Sequence, residues 1–113
     1  MERNELYPIF LKLNQLNVLI VGGGNVGLEK LSFMLKSSSN ANVEVVATKF
    51  LPELEALVEK HPSVKLTQAK FKKKMLKKRH LVIACTDDLK VNKRVYDLSR
   101  KRFLICNIAD TPP

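Results

Sequence analysis

The stretch Asn17-Val18-Leu19-Ile20-Val21-Gly22-Gly23-Gly24-Asn25-Val26-Gly27 decides the fold. A short apolar run stops at three glycines, as a strand buried on both faces of a parallel sheet does. Beyond the glycines, Val26, Leu28, Leu31, Phe33, Met34 and Leu35 recur roughly at helical spacing. Strand, glycine turn and helix thus follow one another directly. Within the turn, Gly22, Gly24 and Gly27 fit G-x-G-x-x-G. Gly22 allows a tight turn, Gly24 lets the backbone approach a pyrophosphate, and Gly27 lets the helix lie close to the sheet. Amides at the helix start then point at phosphate oxygens, aided by the helix dipole. The same pattern also occurs as a glycine turn that holds nothing. Its place between a strand and a helix favours a dinucleotide.

The rest of the chain repeats this alternation. Ser37-Ser38-Ser39-Asn40 ends the first helix, and Val43–Ala47 reads as a second strand. Pro52 stands where a first helical turn tolerates it, Leu54, Leu57 and Val58 form an apolar face, and His61-Pro62 stops that helix. Val64–Thr67 is a third strand and Leu81–Cys85 a fourth. Thr86-Asp87-Asp88 follows, where an aspartate can cap the next helix. Val91, Val95 and Leu98 give that helix its apolar face, and Phe103–Ile108 is a fifth strand. Tyr7–Leu13 alternates and reads as an extended edge segment. Alternating strands and helices imply an α/β, Rossmann-type three-layer domain with a parallel sheet of expected order 3-2-1-4-5.

Composition narrows the function classes. A chain of 113 residues, 45% of them hydrophobic, makes one folded domain. No apolar run approaches the roughly 20 residues that cross a bilayer, and the polar start Met1-Glu2-Arg3-Asn4-Glu5 lacks a signal-peptide pattern. A cytoplasmic protein with no membrane partner is expected. Cys85 and Cys106 lie in apolar runs and read as reduced, buried thiols in strands. With His61 and His80 unpaired in spacing, no metal site is expected. A net charge of +9 attracts polyanions without naming one.

The usual companion of the glycine loop is missing. An NAD-binding unit generally ends its second strand with an acid on the adenosine ribose. Here that position falls among Ala47, Thr48 and Lys49, and Glu44 stands too early in the strand. Thr48 can bond a ribose hydroxyl, and Lys49 can meet a 2′-phosphate, which keeps NADP open. Lys49 reads equally well as a solvent-facing loop lysine.

Over nearly its whole length the chain resembles the precorrin-2 dehydrogenase (siroheme synthase) amino-terminal domain family. The resemblance rests on Tyr7-Pro8-Ile9-Phe10-Leu11, Val21-Gly22-Gly23-Gly24-Asn25-Val26 and Lys30. It continues through Phe50-Leu51-Pro52-Glu53-Leu54, Ile83-Ala84-Cys85-Thr86-Asp87-Asp88, Asn92, Arg94-Val95 and Cys106-Asn107-Ile108-Ala109-Asp110. Singly these motifs are weak; their order and spacing together are fairly specific.

The resemblance implies oxidation of precorrin-2 to sirohydrochlorin with NAD as hydride acceptor, and in some members iron insertion as well. By position, Asn25 and Val26 would contact NAD at the phosphate loop with Gly22, Gly24 and Gly27. Thr48 and Lys49 would meet it near the adenosine, and Thr86 would join them. The family typically lacks the ribose acid, so its absence here fits. Asp110 matches the family's functional aspartate. A carboxylate beyond the carboxyl end of a strand stands at the correct edge to take the proton lost in dehydrogenation. Unaided, the sequence reads Asp110 as a turn aspartate before Thr-Pro-Pro.

Two departures stand out. The family continues past Asp110 into a segment that forms a homodimer and much of the tetrapyrrole cleft, so the 113 residues alone are expected to be inactive. The stretch Lys70–Arg79 is also more basic than the family leads one to expect. A solvated face is its first reading, attraction of the substrate's carboxylates the second. Nucleic acid comes last, since interleaved stacking aromatics are lacking. The other function classes are a regulatory nucleotide-sensing domain, which would normally carry the ribose acid, and a basic nucleic-acid-binding module.

Overall fold

Apolar runs that alternate with helices can satisfy their backbone only by pairing sideways, and those of this protein do so in parallel. The computed structural model describes residues 10–102 and 104–108. The strands are β1 (Val18–Val21), β2 (Val43–Ala47), β3 (Val64–Gln68), β4 (Leu81–Ala84) and β5 (Ile105–Ile108). The helices are α1 (Asn25–Ser37), α2 (Pro52–Glu59) and α3 (Leu89–Lys101). The sheet order is β3-β2-β1-β4-β5, as read from the sequence, and every strand pair is parallel.

The strand period of two sorts the core into two layers. Val18, Ile20, Val43, Val45, Leu81 and Ile83 turn to one face, where Leu31, Met34 and Leu35 of α1 and Leu54 of α2 cover them. Leu19, Val21, Val46, Val82 and Ala84 turn to the other, beneath Val95 of α3 and Leu76. Burying such a side chain fully contributes about 1.5–3 kcal/mol, and β1 and β4, buried at every position, carry no polar side chain. Pro52 occupies the first turn of α2, and Asp88 caps α3 by accepting from the Lys90 N–H at 2.9 Å.

Several boundaries differ from the sequence reading. Leu13 begins a 3-10 turn (Leu13–Gln15) instead of ending an extended segment, while Tyr7 to Ile9 lie outside the described residues. β4 ends at Ala84, so Cys85 stands just past it, buried beneath the glycine loop. β5 begins at Ile105, Phe103 lying outside the described residues, and Cys106 is only half-buried. An edge strand exposes side chains that a central strand hides, and among the described residues β5 has a partner on one side only.

Glu44 resolves the acid that the sequence left in mid-strand. It pairs with Arg79 and accepts a hydrogen bond from the Thr67 hydroxyl, tying the segment after the 3-10 turn Lys73–Leu76 to the sheet. Burial pushes the Glu44 carboxyl up. Hydrogen bonds from Thr67 and Arg79, with the charges of Arg79 and Lys65, outweigh that, so its pKa lies below the ordinary 4.5. The charged form is therefore favoured by folding. Its stabilisation is complete above the unfolded pKa and is lost as pH falls through the lower, folded one. The stability gap between wild type and Glu44→Gln should thus narrow as urea titrations are taken to acid pH. A gap constant down to acid unfolding would remove Glu44 from the account.

Candidate functional site

At the carboxyl ends of β1, β2 and β4 the chain forms a cleft of about 770 Å³, within the size range of small-molecule sites. Its floor is the glycine loop. Gly22 has φ +139°, and a Cβ there would meet the Cys85 carbonyl oxygen at 2.5 Å. Its N–H donates to the Val46 carbonyl at 2.9 Å, locking the turn to β2. A Cβ on Gly27 would fall on the Gly22 carbonyl oxygen, so the close approach here is of helix to loop as much as of helix to sheet.

Gly23, to which the sequence reading gave no role, is confined as tightly. A Cβ on it would meet the Lys49 carbonyl oxygen and, at 2.9 Å, the Ala47 Cβ. The Gly23 carbonyl accepts from the Leu51 N–H at 3.0 Å. Gly24 is the exception. Among the described residues nothing lies within 4 Å of where its Cβ would stand, which leaves space above it for a ligand.

Helix α1 starts immediately after Gly24, which caps it without a side-chain hydrogen bond. The first N–H with a partner inside the helix is that of Leu28, to the Gly24 carbonyl at 2.9 Å. The N–H groups of Asn25, Val26 and Gly27 have no acceptor among the described residues. Free amides at the positive end of a helix suit a phosphate. The side chains behave differently: Asn25 is exposed and Val26 packs against the core. Neither side chain lines the cleft, so what this turn offers an anion is backbone.

Thr48 and Lys49, just past β2, line the cleft opposite the loop. Glu44 does not reach it. Thr86 and Asp88 line the wall after β4. The Thr86 hydroxyl is engaged within its own loop, donating to Asn92 Oδ1 at 2.7 Å and accepting from the Asp88 N–H at 3.2 Å. Asn92 is the residue that sequence reasoning left without a role. Buried to 2% exposure on α3, it also accepts from the Thr86 N–H at 2.9 Å and donates to the Thr86 carbonyl at 3.1 Å. One amide side chain thus satisfies both backbone groups of the residue where strand becomes loop. A buried polar residue beside an apolar i, i+3 stripe was the available signal. Asn92→Ala should cost about 2 kcal/mol in urea unfolding, because both groups lose their partner away from water. A loss below a few tenths of a kcal/mol would show that water replaces the amide.

The Cys85 thiol lies at the bottom of the cleft and donates to the Val21 carbonyl at 3.4 Å. Burial pushes its pKa up to about 11, with Lys30 opposing, so at neutral pH it is an uncharged thiol. Burial likewise raises Cys106, opposed by Ser99. The basic stretch divides. Lys70 and Phe71 line the cleft, whereas Lys72, Lys73, Lys74, Lys77 and Lys78 are exposed on the surface. Among the described residues no cluster of His, Cys, Asp and Glu could hold a metal, and no helix is long and apolar enough to cross a membrane. Asp110 lies outside the described residues.

Residues 9–113 match the family described as "Putative NAD(P)-binding". The chain belongs to this family. Among its relatives, the siroheme synthase of Baumannia cicadellinicola is 38% identical over 94% of this chain and 22% of its own length. Siroheme synthase 1 of Cronobacter sakazakii is 38% identical over 96% of the chain and 22% of its own. The siroheme synthase of Pseudoalteromonas translucida is 40% identical over 94% and 22%. This chain therefore spans about a fifth of the length of these relatives. The solved structure of "SirC, precorrin-2 dehydrogenase" superposes with a TM-score of 0.79 at 24% identity, covering 96% of this chain and 51% of that one. That likeness establishes a shared fold.

Proposed function

We propose that this chain is the NAD-binding domain of a dehydrogenase of siroheme biosynthesis that oxidises precorrin-2 to sirohydrochlorin. The observation that carries the reading is the open space above Gly24 beside three unpartnered helix-start amides. The backbone of Asn25, Val26 and Gly27 holds the pyrophosphate, and Gly22 and Gly23 keep the loop low enough to admit it. Thr48 and Lys49 meet the adenosine ribose, with hydroxyl and ammonium groups replacing the missing acid. Thr86, positioned by Asn92, closes the far wall. When bound, NAD supplies a nicotinamide that accepts a hydride.

The proton lost in the same oxidation goes to Asp110. It stands two residues beyond the last residue of β5, and the carboxyl ends of parallel strands are where such sites collect. The substrate's other wall, a homodimer contact and any iron insertion belong to the longer protein of which the relatives are examples.

The test compares this chain with the longer protein. The chain should bind NAD in calorimetry yet form no sirohydrochlorin, while the longer protein should form it with NADH appearing in step. A longer protein that makes sirohydrochlorin without consuming NAD would contradict the proposal.

A further inference from the structure

The positive charge of this protein is gathered in one stretch. Residues 70–102 hold thirteen of the twenty Lys and Arg but three of the eleven Asp and Glu, a net of +10 there against -1 for all the rest. Of those three acids, Asp88 caps α3 and Asp97 pairs with Lys93 at 3.0 Å. Arg79 pairs with Glu44 of β2, and among the described residues no other cation of the stretch has an ion-pair partner.

Folding turns this stretch into one layer. Leu76 of the turn Lys73–Leu76 and Val95 of α3 lie on the same side of the sheet, over Leu19, Val21 and Val82. The Arg94 guanidinium lies over the half-buried Phe71 ring, 5.8 Å from its centroid, and joins the two elements. Lys73, Lys74 and Lys90 are exposed on this layer, and Lys70 and Arg94 line the cleft, so the basic face reaches the cleft's rim. The layer on the other side of the sheet differs. Helix α1 carries Glu29 beside Lys30 and Lys36, and α2 carries Glu53, Glu55 and Glu59 with Lys60 after it. A face that serves solubility alone mixes signs in this way. Like charges crowded on one layer repel and work against the compact state, so a one-sign face gains from an anion that offsets the repulsion.

We propose that the layer of α3 and the Lys73–Leu76 turn receives polycarboxylate tetrapyrroles and raises their concentration at the cleft. The proposal rests on the siroheme reading above and adds where on this chain the substrate first binds. Precorrin-2 carries acetate and propionate arms around its macrocycle, so it arrives as a polyanion. Lysines are compact charges on flexible stems, which can follow carboxylates spread over a ring. A single nucleic-acid strand would instead need rings on which to stack, and Phe71 is covered by Arg94. Salt shortens the reach of such a face, to about 10 Å at 0.1 M ionic strength.

Fluorescence titrations of the chain with uroporphyrin, and with coproporphyrin, which has half as many carboxylates, test this. Wild type should bind uroporphyrin about tenfold tighter, and added salt should remove most of the difference. The triple variant Lys73→Gln, Lys74→Gln, Lys90→Gln should bind uroporphyrin about tenfold more weakly, a change of about 1.4 kcal/mol. A second triple variant, Lys12→Gln, Lys36→Gln, Lys60→Gln, removes the same charge from exposed positions before β1, on α1 and after α2, and should bind as wild type does. All six lysines are exposed, so both variants should fold, which circular dichroism checks. Equal weakening in the two variants would show that net charge acts without a particular face, and would overturn the proposal. Coproporphyrin bound as tightly as uroporphyrin would overturn it too, since the ring and not the carboxylates would then be recognised. A chain that binds NAD but neither porphyrin overturns the face and leaves the dinucleotide reading standing. Uroporphyrin bound on this face by a chain that does not bind NAD would support the face and contradict the dinucleotide reading.

Discussion

Replacing Asp110 with asparagine in the longer protein should cut sirohydrochlorin formation by about 10²–10⁴-fold, the usual cost of losing a general base. The amide keeps the shape of the carboxylate but cannot take a proton at neutral pH. NAD affinity should be unchanged, since the glycine loop follows β1 and Thr48 follows β2, whereas Asp110 comes after β5. The loss should fall on kcat, with little change in KM for NAD. An Asp110→Asn enzyme that turns over precorrin-2 at the wild-type rate would reduce Asp110 to a turn residue.

Gly24→Val should abolish measurable NAD binding and leave the fold intact. The reasoning depends on contrast among the four glycines. At Gly24 a Cβ meets nothing among the described residues, so folding should be indifferent and only the ligand's phosphates displaced. At Gly22 the same change would strain a backbone at φ +139° and drive Cβ into the Cys85 carbonyl. Strain of that kind costs about 1–3 kcal/mol before the clash is counted. Gly22→Val should therefore lose binding through loss of structure, and Gly24→Val without it. Thermal unfolding and calorimetry on the two variants separate the causes. Equal NAD affinity in Gly24→Val and wild type would exclude the loop as the phosphate site.

Much of the fold was legible because its signals are local. The residues Val43–Ala47 could be read as β2 from one apolar run, Pro52 as the start of α2, and Asp88 as the cap of α3. The strand order followed from alternation and the handedness of parallel crossovers. Less of the cleft could be read, because its walls come from residues far apart in sequence. The tight seat of Gly23 depends on the carbonyl of Lys49. The role of Asn92 depends on Thr86, six residues earlier, lying across a loop whose path no pattern declares. The division of the basic stretch depends on Arg79 finding Glu44 on the sheet while Phe71 finds Arg94 on α3. A run of lysines looks uniform as sequence. Packing made Phe71 part of a cleft and left Lys72 to Lys74 on the surface.

The central claim is that the Gly22–Gly27 turn of this chain receives the phosphates of NAD. Following backbone amide resonances of the isotope-labelled chain during an NAD titration tests it most directly. Shifts should be largest at Gly24, Asn25, Val26 and Gly27, accompanied by Thr48, Lys49 and Thr86, and should saturate together with one dissociation constant. Shifts confined to the exposed lysines 72–74, 77 and 78, growing without saturation and disappearing with salt, would instead show an anion attracted by net charge and contradict the claim.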